Sequence, residues 1–167
     1  MTDRLSLDPL PLNPLSLDRP AHDIARGSVI VLTLDLQYRV RYCSPAFAAA
    51  GGAAARSLYG QPFDRLRHPD MPRQVLRDLW DALERGHACV APLKLRCADG
   101  GHLWARAAFS RVVDRQGTMS IVVVLTRPGR VHVRGAEALY ASRRCRTGVW
   151  LDSLLEHDRE LPCVLKW

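Results

Sequence analysis

Residues 90–126 read VAPLKLRCA (90–98), DGG (99–101), HLWARAAFSRVV (102–113), DRQG (114–117) and TMSIVVVLT (118–126). Three β-rich runs alternate with turn-forming residues, and Asp-Gly between apolar runs is a hairpin signal. In the first run Leu93, Leu95 and Cys97 alternate with Lys94 and Arg96. In the second, Leu103, Ala105, Ala107 and Phe109 alternate with His102, Trp104 and Arg106. Side chains on a strand point to opposite faces in turn, so each of these two strands has one buried and one wetter face. Ile121 to Leu125 is apolar throughout and is expected at the centre of the sheet.

Upstream of these strands lies the clearest helix. Pro72 suits its first turn, Asp70 is placed near its positive end, and Gly86 closes it. Val75, Leu76, Leu79, Trp80 and Leu83 recur at helical spacing. Further back, Ser44-Pro45 opens a short helix through Ala50, and Ala53 to Leu58 forms another. Val29 to Leu34 and Tyr38 to Tyr42 are two strands joined by a turn at Asp35 to Gln37. The order implies an α+β domain over residues 28–128, a five-stranded antiparallel sheet with helices over one face and a natural ligand space between the layers. Residues 1–27 carry four of the 11 prolines in LSLDPLPLNPLSLDRP and read as an extended or disordered arm. Residues 129–167 read as a basic, partly helical tail, with helices expected at Ala136–Arg144 and Trp150–His157.

At 167 residues, 47% apolar and 25% charged, the chain has the composition of one globular domain with tails, which excludes global disorder. The longest uncharged stretch, Tyr42 to Ala55, has 14 residues, too few for the ~20 of a membrane helix. The N-terminus has no continuous apolar run, so no secretory signal is expected. Five cysteines, at 43, 89, 97, 145 and 163, include no Cys-x-x-Cys pair. Cys89 and Cys97, on one expected strand, would stand ~26 Å apart, too far to bridge. Reduced thiols in a cytoplasmic protein follow. The net charge is +7, and six arginines between Arg127 and Arg146 face one acid, Glu137. Such a cluster suits a polyanion or an acidic protein surface, but equally a solvated helix face. Nearly all of the basic residues are Arg and Ala is abundant, a pattern that reflects genome composition as much as nucleic-acid binding.

The order of elements resembles the PAS fold. Gly60-Gln61-Pro62, then Arg67-His68-Pro69-Asp70-Met71-Pro72 and Leu79-Trp80, then Asp99-Gly100, His102-Leu103-Trp104 and Arg106, narrow the resemblance to the PAS sensor of aerotaxis receptors, the flavin-binding chemoreceptors of bacteria. The similarity covers residues 28–128, with a fainter trace at Glu137 to Tyr140. It implies non-covalent FAD and a report of redox state or oxygen to a HAMP and signalling region, which is not expected within these 167 residues. It implies that Arg67, His68 and Asp70 belong to the flavin site. Positive charge and N–H donors before a helix also suit a pyrophosphate. Family positions held by Asn, Trp and Asn are here Ser44, Cys89 and Leu95. An amide donates and accepts together; Ser44 can replace part of that, and Leu95 none of it.

Other readings stand beside this one. Arg67-His68-Pro69-Asp70 is also intelligible as a helix-opening turn without a ligand. His68, His87 and His102 are the histidines to consider for haem, but nothing singles out a proximal ligand, so haem is not expected. His87 and Cys89 lack an orienting third group, so no enzyme activity is expected. His102, Trp104 and Arg106 share the outer sheet face, a docking surface for the arm, a second subunit in a homodimer, or a signalling protein partner. The functional expectation is a PAS-type sensory module in signal transduction. The alternatives are a cofactor-free interaction module, a truncated receptor remnant or a basic nucleic-acid binder.

Overall fold

The computed structural model describes residues 21–141. The expected helix at 150–157 and the cysteines at 145 and 163 lie outside the described residues, as do Arg143, Arg144 and Arg146. Strands β1 (Ala21–His22), β2 (Ile30–Leu34), β3 (Val40–Cys43), β4 (Cys89–Arg96), β5 (His102–Val113) and β6 (Met119–Thr126) form one sheet. Helices are α1 (Ala46–Ala49), α2 (Ala55–Leu58), α3 (Arg73–Glu84) and α4 (Arg130–Ala141), with a 3-10 turn at Phe63–Leu66.

The five expected strands pair antiparallel in the order β4-β5-β6-β2-β3, with β6 central as its continuous apolar run requires. A sixth strand was not foreseen. Ala21 and His22, at the end of the arm, pair parallel with His102 and Leu103. They occupy the place beside β5 that β6 reaches only from Arg106 onward. Two residues carry too little pattern to be read as a strand, and Ile24, 1% exposed, anchors them by burial.

The inner face matches the alternation. Leu93, Leu95, Leu103, Ala105, Ala107 and Phe109 are all buried and belong to one core with Val75, Leu76, Leu79 and Leu83 of α3. Phe63, Trp80 and Phe109 meet edge to face, and Tyr38 stacks on Trp80 with ring centroids 4.1 Å apart. Tyr38 is not the start of a strand, as its aromatic character suggested. The Asp35 carboxylate accepts the N–H groups of Gln37 and Arg39, and the resulting turn carries Tyr38 to φ 59. Strand β3 begins only at Val40.

The outer face is covered in part by α4, which starts six residues before the expected Ala136. The Val133 N–H donates to the Gly129 carbonyl at 3.2 Å, so the helix opens directly after Pro128-Gly129. Gly135 within it weakens the local signal by ~1 kcal/mol relative to Ala. Docking makes up the difference: Ala136 is buried, and Tyr140 stacks on Trp104 at 5.6 Å.

Candidate functional site

The Arg67-His68-Pro69-Asp70 loop runs along the free edge of β4. Arg67 forms an antiparallel bridge with Leu95, and the His68 N–H donates to the Lys94 carbonyl at 3.0 Å. Two residues back on the same edge, the Pro92 carbonyl accepts the Tyr140 hydroxyl at 2.7 Å. Alternate carbonyls of one strand, ~7 Å apart, thus hold the loop and α4. Proline at position 92 fits this arrangement. Its missing N–H falls on an edge, where no ladder bond is lost.

The side chains of the loop divide between two directions. The Arg67 guanidinium donates to the carbonyls of its own loop, His68 at 3.2 Å, Pro69 at 3.5 Å and Met71, and its Nε lies 3.5 Å from the Asp64 carboxylate. Arg67 therefore closes the loop on itself. His68 and Asp70 turn to the outer sheet face. Lys94 donates to Asp70 at 2.6 Å, His68 Nδ1 lies 3.4 Å from the same carboxylate, and the His68 and His102 rings meet at 5.8 Å. Asp70 thus pairs with Lys94 rather than serving the end of α3, as its spacing before the helix had suggested. That partner lies 24 residues away and is brought in only by the loop's pairing with β4.

The charges act on one another. Burial, and after it the Lys94 ammonium, hold the His68 and His102 imidazoles below their ordinary range. Asp70 is held below the usual carboxylate range, chiefly by its hydrogen bond from Lys94. Glu137 of α4 acts on His102 in the opposite sense, so the field of the cluster reaches the helix.

The remaining sequence candidates fall elsewhere. Ser44 Oγ accepts the Val31 N–H at 3.1 Å and does not cap α1. Leu95 is fully buried in the core, on the inner face. Cys89 is buried, its Sγ faces the carbonyls of Leu79 and His87, and burial pushes its thiol up to about 11. No activated nucleophile is formed there. Trp104 stacks on Tyr140.

FAD, the ligand the resemblance implies, needs hydrogen-bonding partners for the polar edge of its ring and for its pyrophosphate. Among the described residues, the buried Asp78 is bonded by Gln74 of its own helix, while Arg67 Nε, Trp104 Nε1 and Arg111 Nε are buried donors without a hydrogen-bond partner. Phe47, Phe63, Met71, Leu79, Leu93 and Phe109 occupy the space between the layers. Arg67, His68, Asp70 and Leu95 meet along β4, and Ser44 is bonded to Val31 of β2. In this arrangement the interior between the layers is apolar, and the Arg67 Nε is a buried donor without a hydrogen-bond partner.

Comparison with known proteins agrees with the fold. The PAS-fold family matches residues 40–125. The chain is 31% identical over 118 residues to the aerotaxis receptor of Escherichia coli (strain K12), an alignment covering 70% of this chain and 23% of that receptor. It therefore spans less than a quarter of the receptor's length. A light-oxygen-voltage domain studied through a flavin analogue superimposes with a TM-score of 0.57 at 17% identity, covering 69% of this chain and 88% of that one. The aureochrome1 light-oxygen-voltage domain in its dark state gives 0.55 at 17% identity, covering 68% and 83%. At that identity the likeness concerns the fold alone.

Proposed function

The chain belongs to the PAS-fold family, and on that premise we propose that it is a PAS-type sensory module in bacterial signal transduction, related in role to the sensor of aerotaxis receptors. The observation that carries this reading is the shared edge of β4. The loop at 67–70 and helix α4 are held by carbonyls two residues apart, Lys94 and Pro92. A change in the loop shifts the edge, and the edge shifts the helix that leads into the C-terminal tail. A signalling protein or a separate output chain reads that shift, because a ligand or partner that distinguishes two arrangements biases the equilibrium between them.

FAD enters this reading only as the ligand that the resemblance implies. Binding it would require Arg67 to release its loop carbonyls and the apolar interior to open. The packed interior favours a second reading, a module that works through protein contacts without a cofactor. A homodimer through the sheet would form beside α4 or in its place, since α4 already covers Trp104. Among the described residues no helix is long and apolar enough to cross a membrane. The buried free thiols of Cys43, Cys89 and Cys97 support a reducing, cytoplasmic setting.

The test is hydrogen exchange at residues 130–141 of the full chain, comparing wild type with Lys94→Met. This substitution removes the ammonium that holds Asp70 and leaves Pro92 and Tyr140 intact. Faster exchange in α4 would support relay from loop to helix. Unchanged exchange in α4, with the loop itself loosened, would sink the relay.

A further inference from the structure

Just past the C-terminal end of β4, beyond the residues that hold the loop, three ligand-type side chains meet without any part in the sensory reading. His22 comes from the arm, and Cys97 and Asp99 from the β4–β5 turn. Their ligand atoms all lie within 4.8 Å of one another, and His22 Nε2 stands 2.7 Å from Asp99 Oδ2. Each residue is held from behind. Asp99 Oδ1 accepts the Gly101 N–H at 2.8 Å, which leaves Oδ2 turned to His22. The Cys97 N–H donates to Gly101 at 2.9 Å, and the Ala98 N–H to Gly51 at 3.0 Å. Parallel pairing of Ala21 and His22 with β5 sets the imidazole in place. Gly51 makes room for it: a Cβ there would stand 2.5 Å from His22 Nδ1.

We propose that His22, Cys97 and Asp99 form a divalent-metal site, with Zn2+ as its ion, that clamps the N-terminal arm to the sheet. One thiolate, one imidazole and one carboxylate make a mixed donor set that suits zinc, whereas magnesium and calcium call for oxygen alone. Tetrahedral zinc places its ligand atoms ~3.5 Å apart, so the His22–Asp99 pair opens by ~0.8 Å and the wider pairs close by at most ~1.3 Å. The fourth position falls to water, and the exposed side of Asp99 gives access to it. On binding, the Cys97 S–H bond breaks, its proton goes to solvent and a Zn–S bond forms; no oxidant or reductant takes part. Held this way, Ala21 and His22 stay on β5, and metal supply governs how firmly.

The test uses the full chain, freed of metal by a chelator and titrated with Co2+ and then Zn2+. One Co2+ per chain is expected, with a thiolate-to-cobalt charge-transfer band that Zn2+ abolishes. Cys97→Ser should remove the band. His22→Gln and Asp99→Asn should weaken binding by more than the ~10–100-fold typical of residues behind the ligands. The partly exposed positions 22 and 99 keep the test valid if Cys97→Ser proves unstable. The Cys145→Ser, Cys163→Ser double variant should keep the band. Zn2+ should also slow amide exchange at residues 21–24. Absence of stoichiometric binding would overturn the proposal and leave a hydrogen-bonded His–Asp pair beside an inert thiol. A band that survives Cys97→Ser would overturn it too. Binding that leaves exchange at residues 21–24 unchanged would overturn the clamp.

Discussion

The hydroxyl of Tyr140 donates to the carbonyl of Pro92 at 2.7 Å while its ring stacks on Trp104. A single side chain thus fastens α4 both to the edge of β4 and to the outer face of β5. Tyr140→Phe should cost about 1 kcal/mol, the usual net value of one hydrogen bond. Tyr140→Ala should cost about 2 kcal/mol, because the stacked ring goes as well. Denaturant unfolding of the full chain measures both. Equal losses for the two variants would show that the ring contributes nothing.

The acid response of the cluster has a definite sign. The folded state holds the imidazoles of His68 and His102 below the ordinary value of 6.5. Stability from these two groups is complete above pH 6.5 and is lost as the pH falls through their depressed folded-state range, because the unfolded chain takes up protons first. Asp70, also depressed, adds a loss that begins below its ordinary 3.8. The midpoint of thermal unfolding should therefore fall in two stages on acidification. Lys94→Met removes one cause of the imidazole shifts and should shrink the first stage. A first stage of full size in that variant would contradict the assignment.

Much of this was legible in the sequence. Alternation at residues 93–97 and 102–109 identified the inner face, and the outward place of Trp104 marked a docking surface. What docks there is α4, which begins earlier than its periodicity suggested because a glycine interrupts the helical signal. The Arg67 to Asp70 motif was visible but its use was not. The partner of Asp70 is Lys94, and Arg67 closes on its own loop. Strand pairing brings such groups together across distances that no local pattern records. Tyr38 was hidden for a related reason: one aspartate side chain bends the chain there and sends an aromatic ring onto Trp80.

Burial makes the thiols of Cys43 and Cys89 poor nucleophiles, with both pushed up to about 11. In the folded, chelator-treated protein these two should react with a disulfide reagent only as fast as the domain opens. After unfolding, all five cysteines should react. A count of three or one would reveal a disulfide and oppose the cytoplasmic reading.

Leu95 offers a sharper probe of the interior. Its side chain is fully buried, and Leu95→Asn would place an amide among aliphatic groups, costing about 3 kcal/mol. Unfolding with and without added FAD measures both the cost and any rescue. The account expects the loss and no rescue. Recovery of stability by FAD would mean that the interior opens to a flavin whose edge the new amide can meet.

The central claim is that the interior of this PAS domain is filled by its own side chains, and that the loop at 67–70 works through the edge of β4. The most direct test incubates the full wild-type chain with excess FAD, removes free ligand by gel filtration and records the visible spectrum. The account predicts a colourless protein peak, with no flavin absorption above that of a blank. A yellow peak carrying one FAD per chain, lost on Arg67→Ala while the protein stays folded, would contradict it.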